Sequence, residues 1–94
     1  MTTLYVLLNK MGKKEKILEK VLSGQSDSNI AFAELVSLLE AFGFDHRQQG
    51  SHHIFTKVGV IERINLQSDG SKAKKYQVRQ VRNVLTKYSF KENE

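Results

Sequence analysis

The sequence predicts a small α+β domain, in which two helices cover one face of a three-stranded antiparallel sheet, with a helical extension at the N-terminus. Three observations predict this class. Two segments carry apolar residues at helical spacing, and the region between them holds short β-rich runs separated by glycines. The 94 residues, 39% hydrophobic and 27% charged, are enough for one modest core. Residues 30–88 are therefore predicted to run helix, strand, strand, strand, helix.

The first 29 residues are predicted to be an extension and linker ahead of a domain at 30–94. Within 13–22, apolar residues form a narrow helical stripe among lysines and glutamates: Ile17, Leu18, Val21 and Leu22. Small polar residues without periodicity follow at 23–29 and predict a linker. We expect the stripe to pack on the core, so that deleting residues 1–28 lowers the melting temperature.

Residues 31–42 are predicted to form the first core helix. Their apolar side chains recur at spacings of three and four: Phe32, Leu35, Val36, Leu38, Leu39 and Phe42. Gly43 is well placed as the residue that ends this helix.

Three strands are predicted at 44–49, 52–58 and 60–66, because these runs are rich in β-formers or alternate between polar and apolar residues. Turns at Gly50-Ser51 and at Gly59 would join them as antiparallel neighbours.

A loop at 68–71 leads to the second core helix, whose apolar stripe is Val78, Val81, Leu85 and Tyr88. On its opposite side Lys75, Arg79 and Arg82 form a basic stripe. The resulting α-β-β-β-α order is that of double-stranded-RNA-binding domains, a likeness of fold that does not by itself assign a function.

The composition narrows the class of protein. A net charge of +5 suits a polyanion or an acidic partner. The chain has no cysteine, which excludes disulfides, thiolate chemistry and cysteine-ligated zinc and fits a reducing compartment. The apolar run at 4–8 is too short to span a membrane, and lysines follow it instead of preceding it. We therefore expect a cytoplasmic protein with no membrane partner and no cofactor.

A histidine pair opens the second strand directly after Gly50-Ser51. Histidine exchanges protons near neutral pH, so a pair in a basic chain raises the hypothesis of acid–base chemistry on a polyanion, with packing beside Phe55 or Ile54 as the structural alternative. Because adjacent strand residues point to opposite faces, only one of His52 and His53 is expected to face solvent. Together with His46 they lack the spacing of a known ligand set, so no metal site is predicted.

The run 35–55 resembles the HicA family of toxin ribonucleases. That family's pattern is a first helix ending in Gly-Phe, a polar strand, and Gly-Ser-His at the start of the second strand. These elements stand here as Gly43-Phe44 and Gly50-Ser51-His52, and the likeness extends over 30–88. The resemblance implies a fold like that of double-stranded-RNA-binding domains, metal-independent cleavage of messenger RNA, and inhibition by a HicB antitoxin encoded alongside. It also implies that His52 is catalytic.

The chain departs from the family pattern in two places. Many members end the third strand with a proline and a second histidine, where this chain has Asn65-Leu66-Gln67. Many begin the last helix with Gly-Thr-Leu, where this chain reads Lys75-Tyr76-Gln77-Val78.

On this reading His52 is the base or acid at the scissile phosphate. Ser51 holds the phosphate through its hydroxyl or N–H group, and His53 is a possible supporting residue. The expected RNA-binding cations are Arg47, Lys57, Lys72, Lys74, Lys75, Arg79 and Arg82. The cations of the last helix could equally form a solvated face or dock an acidic antitoxin, and Tyr76 is a candidate for stacking on a base.

Two alternatives stay open at this point. One is a non-catalytic RNA-binding module of the same fold, with structural histidines. The other is a protein-interaction domain with no role in nucleic acid binding.

Overall fold

The computed structural model of the protein describes residues 12–88. The apolar run at 4–8 of the sequence lies outside these described residues. The helices are α1 (Lys13–Ser23), α2 (Phe32–Ala41) and α3 (Lys75–Tyr88), with a short 3-10 helix at Asp27–Asn29. The strands are β1 (Asp45–Gln49), β2 (His52–Thr56), β3 (Ile64–Leu66), β4 (Ser68–Asp69) and β5 (Lys72–Ala73).

The main sheet has the order β1-β2-β3, with both pairs antiparallel. Gln49 lies opposite His52 across the tight turn, where Gly50 adopts a left-handed φ of 61°. On the other side of β2, Phe55 lies opposite Ile64. These observations confirm the predicted α+β class with its three-stranded antiparallel sheet.

The core lies between the helices and one face of the sheet. Phe55, Ile64 and Leu66 are fully buried there, against the apolar stripes of α2 and α3. Because side chains alternate along a strand, the opposite face carries another set of residues and faces outward. We call it the open face; it carries Arg47, Gln49, His52, Ile54 and Asn65.

Helix α1 packs on the two core helices, as its apolar stripe predicted. Ile17 and Val21 are buried in the same hydrophobic core as α2 and α3, whereas Leu22 is 46% exposed. The division of the chain at residue 29 remains a prediction about folding units.

The segment predicted as a linker is instead ordered around Asp27. The Arg82 guanidinium donates to both carboxylate oxygens of Asp27, at 2.8 and 3.1 Å, and to the Val21 carbonyl oxygen at 3.1 Å. Composition did not predict this contact, because a long-range ion pair organises residues that have no helical pattern of their own.

The third strand is shorter than the predicted 60–66. Only Ile64–Leu66 pairs with β2, while Val58 and Ile61 are 96% and 90% exposed. Glu62 fixes the resulting loop to the end of α3, since it accepts hydrogen bonds from the Tyr88 hydroxyl at 2.6 Å and the Lys87 ammonium at 2.8 Å.

The predicted loop at 68–71 includes β4, which pairs with β5 directly after the loop to form a small second sheet. This hairpin is fastened to the start of α2, because Phe32 N–H donates to the Ser71 carbonyl oxygen and Ala73 N–H donates to that of Ile30, each at 2.9 Å. The composition of 68–71 predicted the loop, but strands of two residues are too short to be recognised from sequence.

Within residues 12–88, every helix is too short or too polar to cross a membrane.

Candidate active site

The Gly50-Ser51 turn places His52 at the start of β2, on the open face. The His52 side chain is exposed, whereas the ring of His53 is half-buried and lies 5.0 Å from the ring of Phe32. The expectation that the two histidines face opposite ways is confirmed. An extended ligand on the open face can therefore reach His52, whereas His53 lies on the other face of the sheet.

One ring nitrogen of His52 has a partner on the neighbouring strand. Its Nδ1 lies 3.1 Å from Oδ1 of Asn65, which is on the same face of β3. The second nitrogen, Nε2, has no hydrogen bond to any residue in the described part of the chain. A substrate group on the open face can therefore meet His52 at Nε2.

A chain of amides connects Ser51 with the start of α3. The Gln67 side chain donates through Nε2 to Ser51 Oγ at 3.1 Å. Gln77 is only 2% exposed, and its amide donates to the Gln67 carbonyl oxygen at 2.8 Å and accepts from the Gln67 N–H at 2.9 Å. These hydrogen bonds therefore connect the Gly50-Ser51 turn, the end of β3 and the first turn of α3 at one end of the molecule.

The sequence contained a signal for this contact that was missed. Gln77 precedes Val81 by four residues and Val84 by seven, which places it on the buried stripe of α3. A buried amide needs partners for its donors and acceptor, so a glutamine at such a position indicates a hydrogen bond to backbone.

His53 belongs to a second cluster, on the face covered by helices. His46 Nε2 lies 2.9 Å from His53 Nδ1, and His46 Nδ1 lies 3.1 Å from the Glu40 carboxylate. The His46 ring also stacks on Phe55, with ring centres 4.4 Å apart. The structure thus does not bring His53 to His52; it gives His53 a structural partner on β1 instead. Across residues 12–88, no three histidine, aspartate or glutamate side chains converge to hold a metal ion.

Of the two predicted cations near the sheet, only one lies close to His52. Arg47 is opposite Ile54 on the open face, about 7 Å along the strand from His52. Lys57 follows the far end of β2, about 17 Å along the strand from His52. Its ammonium lies beside Gly43 at the end of α2.

The cations before and on α3 lie mainly around the 3-10 helix. Arg82 is bound to Asp27, and Lys72 donates to the Asn29 side chain at 3.1 Å. The hydrogen bond from Arg82 lowers the pKa of Asp27, and the positive charges of Arg79 and Lys75 act in the same direction.

The start of α3 is the part of this basic region that approaches the turn bearing Ser51. Lys75 and Tyr76 are exposed there, Tyr76 to 56%, while Lys74 is half-buried. Gln77 links the same turn of helix to Gln67 and so to Ser51.

The fold and the site define a class of protein: a small domain with the α-β-β-β-α order of double-stranded-RNA-binding domains and an accessible histidine beside a Gly-Ser turn. A family model described as HicA toxin of bacterial toxin-antitoxin matches residues 32–87, more than half of the 94 residues. The chain therefore belongs to the HicA toxin family, whose toxin–antitoxin character implies an antitoxin partner. Searches of curated proteins and of solved structures gave no significant match.

Proposed function

We propose that this protein is an endoribonuclease toxin that cleaves messenger RNA without a metal ion and is neutralised by a HicB-type antitoxin. The observation that carries the proposal is the position of His52. Its ring is exposed on the open face and held through Nδ1, and Nε2 has no hydrogen bond within residues 12–88. Family membership supports the toxin role.

The chemistry needs a base at the ribose. His52 Nε2 removes the proton of the 2′-hydroxyl as that oxygen attacks the adjacent phosphorus. The bond from phosphorus to the 5′-oxygen breaks, and this oxygen leaves with a proton from the imidazolium or from water. The products are a 2′,3′-cyclic phosphate and a 5′-hydroxyl.

Two neighbours of His52 are suited to bind the phosphate. The Ser51 oxygen accepts a hydrogen bond from Gln67, so its own O–H proton is available to a phosphate oxygen. Arg47 supplies positive charge on the same face, where negative charge develops in the transition state.

The RNA strand would continue from the open face toward the start of α3. Lys74, Lys75 and Tyr76 lie at this end of the molecule and could hold phosphates and one base. Lys72 and Arg79 extend the positive surface. Arg82 forms an ion pair with Asp27, so it should contribute least of these cations to RNA binding. The antitoxin would act by covering this surface, and the substrate places the reaction in the cytoplasm.

The test is cleavage of labelled single-stranded RNA in EDTA by the wild-type protein, His52→Ala and His53→Ala. We expect His52→Ala to reduce the rate by about 10²- to 10⁴-fold with RNA affinity retained. His53→Ala, the matched control, faces the helices and should keep most of the activity as long as its melting curve shows a folded protein.

Two results would contradict the proposal. Cleavage that survives His52→Ala would mean that another residue catalyses it. RNA binding without cleavage by the wild type would favour the non-catalytic RNA-binding module.

A further inference from the structure

We propose that Asn65 is a positioning residue that sets which ring nitrogen of His52 carries the proton, and so makes Nε2 the base. This inference rests on the proposed ribonuclease function and names the residue that prepares its acid–base group.

The register of the sheet places Asn65 where it can do this. Asn65 is opposite Ile54 in the β2–β3 ladder, and His52 lies two residues before Ile54 on the same face. The two side chains are diagonal neighbours, a distance that a histidine and an asparagine can span. Their polar atoms are 3.1 Å apart.

The chemistry of the two groups then fixes the proton. An amide oxygen can only accept a hydrogen bond, so the contact with Oδ1 requires a hydrogen on His52 Nδ1. A neutral imidazole has one ring proton, and Nε2 is left with its lone pair. An exposed histidine without such a partner favours the opposite tautomer, with the proton on Nε2. Asn65 therefore reverses the preference of a residue that is otherwise surrounded by solvent.

The same hydrogen bond strengthens during the reaction. When Nε2 takes a proton, His52 becomes an imidazolium with a hydrogen on both nitrogens, and Nδ1–H still donates to Asn65. Hydrogen bonds from a charged donor are stronger than neutral ones. An interaction that is stronger after proton transfer lowers the barrier as well as orienting the ring.

Two nearly isosteric variants of Asn65 separate an effect on the His52 ring from an effect on folding. Asn65→Leu removes the acceptor, and Asn65→Asp keeps an acceptor at the same place. Because Asn65 is exposed on the open face, both should fold, and thermal melts would verify this. Gln49→Leu, opposite His52 on β1, is the matched control for losing an amide next to the histidine.

The first readout is independent of activity. Nitrogen-15 NMR of the neutral His52 ring should show the proton on Nδ1 in the wild type, in Asn65→Asp and in Gln49→Leu. In Asn65→Leu the proton should move mainly to Nε2. A wild-type ring protonated on Nε2 would overturn the proposal.

The second readout is the rate of RNA cleavage. We expect Asn65→Leu to lower kcat by about 10- to 100-fold with little change in KM, because the base spends most of its time in the wrong tautomer and the imidazolium loses its hydrogen-bond acceptor. Asn65→Asp should retain kcat, raise KM through repulsion of phosphate, and move the acidic limb of the pH–rate profile to higher pH.

Asn65→Leu that cleaves as fast as wild type, or a folded Asn65→Asp as slow as Asn65→Leu, would also overturn the inference. If the wild type does not cleave RNA, the ribonuclease proposal fails, and the NMR result alone decides whether Asn65 sets the tautomer.

Discussion

At the scale of single residues, Glu62 connects pH to the stability of the fold. Its hydrogen bonds with Lys87 and Tyr88 lower its pKa from the usual 4.5 to about 2. Because the folded pKa lies below the unfolded one, these bonds stabilise the protein above pH 4.5 and are lost as the pH falls toward 2. We expect Glu62→Gln to be less stable than the wild type near neutral pH, with the difference shrinking across this window.

The measurement is the urea midpoint from pH 7 to pH 2.5. Glu19→Gln, an exposed carboxylate on α1, is the control and should leave the wild-type profile unchanged. Wild-type and Glu62→Gln curves that run parallel from pH 4.5 to 2.5 would show that Glu62 does not provide this stability.

The histidines show how far a residue's role can be predicted from sequence. Strand alternation was enough to place His52 and His53 on opposite faces. It did not predict that His53 would pair with His46, because that contact depends on the register between β1 and β2. The Asn65 contact depends likewise on the register between β2 and β3. Register is set by the whole sheet, so the face that each histidine occupies was predictable and its partners were not.

At the scale of elements, α1 is held to the domain by apolar burial and by one ion pair. Ile17 and Val21 are buried, and Arg82 joins Asp27 and the end of α1 to α3. Burial of two such side chains contributes roughly 3–6 kcal/mol. We therefore expect deletion of residues 1–28 to lower the melting temperature by about 10 °C or more.

Leu22→Ser is the control for this deletion, because Leu22 lies on α1 but is 46% exposed. It should leave the melting temperature nearly unchanged. A deletion variant that melts like the full chain would mean that the contacts of α1 contribute little to stability.

The elements that were predicted well are those whose pattern is local. Helix α2 lies within one residue at each end of the predicted 31–42, and Gly43 does end it, with a left-handed φ of 86°. Strand β3 was overestimated because Val60-Ile61 reads as β-rich, yet Glu62 is drawn to α3 and the chain leaves the sheet. The two-residue strands β4 and β5 carry too few residues for any periodicity.

At the scale of the whole molecule, the residues that stabilise the fold and those proposed to act on RNA lie on opposite faces of the sheet. All three helices contribute to the core on one side of the sheet, and the open face carries His52 with Arg47 and Asn65 on the other. The net charge of +5 suits both proposed partners, RNA and an acidic antitoxin surface. Charge could be read from the composition. The composition does not show which cations are free to bind a partner. Arg82 is paired with Asp27, and that ion pair joins distant parts of the chain.

The central claim is that His52 acts as a base on the 2′-hydroxyl of RNA. The most direct test takes an RNA that the protein cuts and replaces the nucleotide 5′ to the cut with its 2′-deoxy analogue, in EDTA. We expect cleavage at this bond to stop, and the unmodified RNA to yield a 2′,3′-cyclic phosphate and a 5′-hydroxyl. Continued cleavage at the deoxy site, or products ending in a 5′-phosphate, would contradict it, because the attacking oxygen would then come from water.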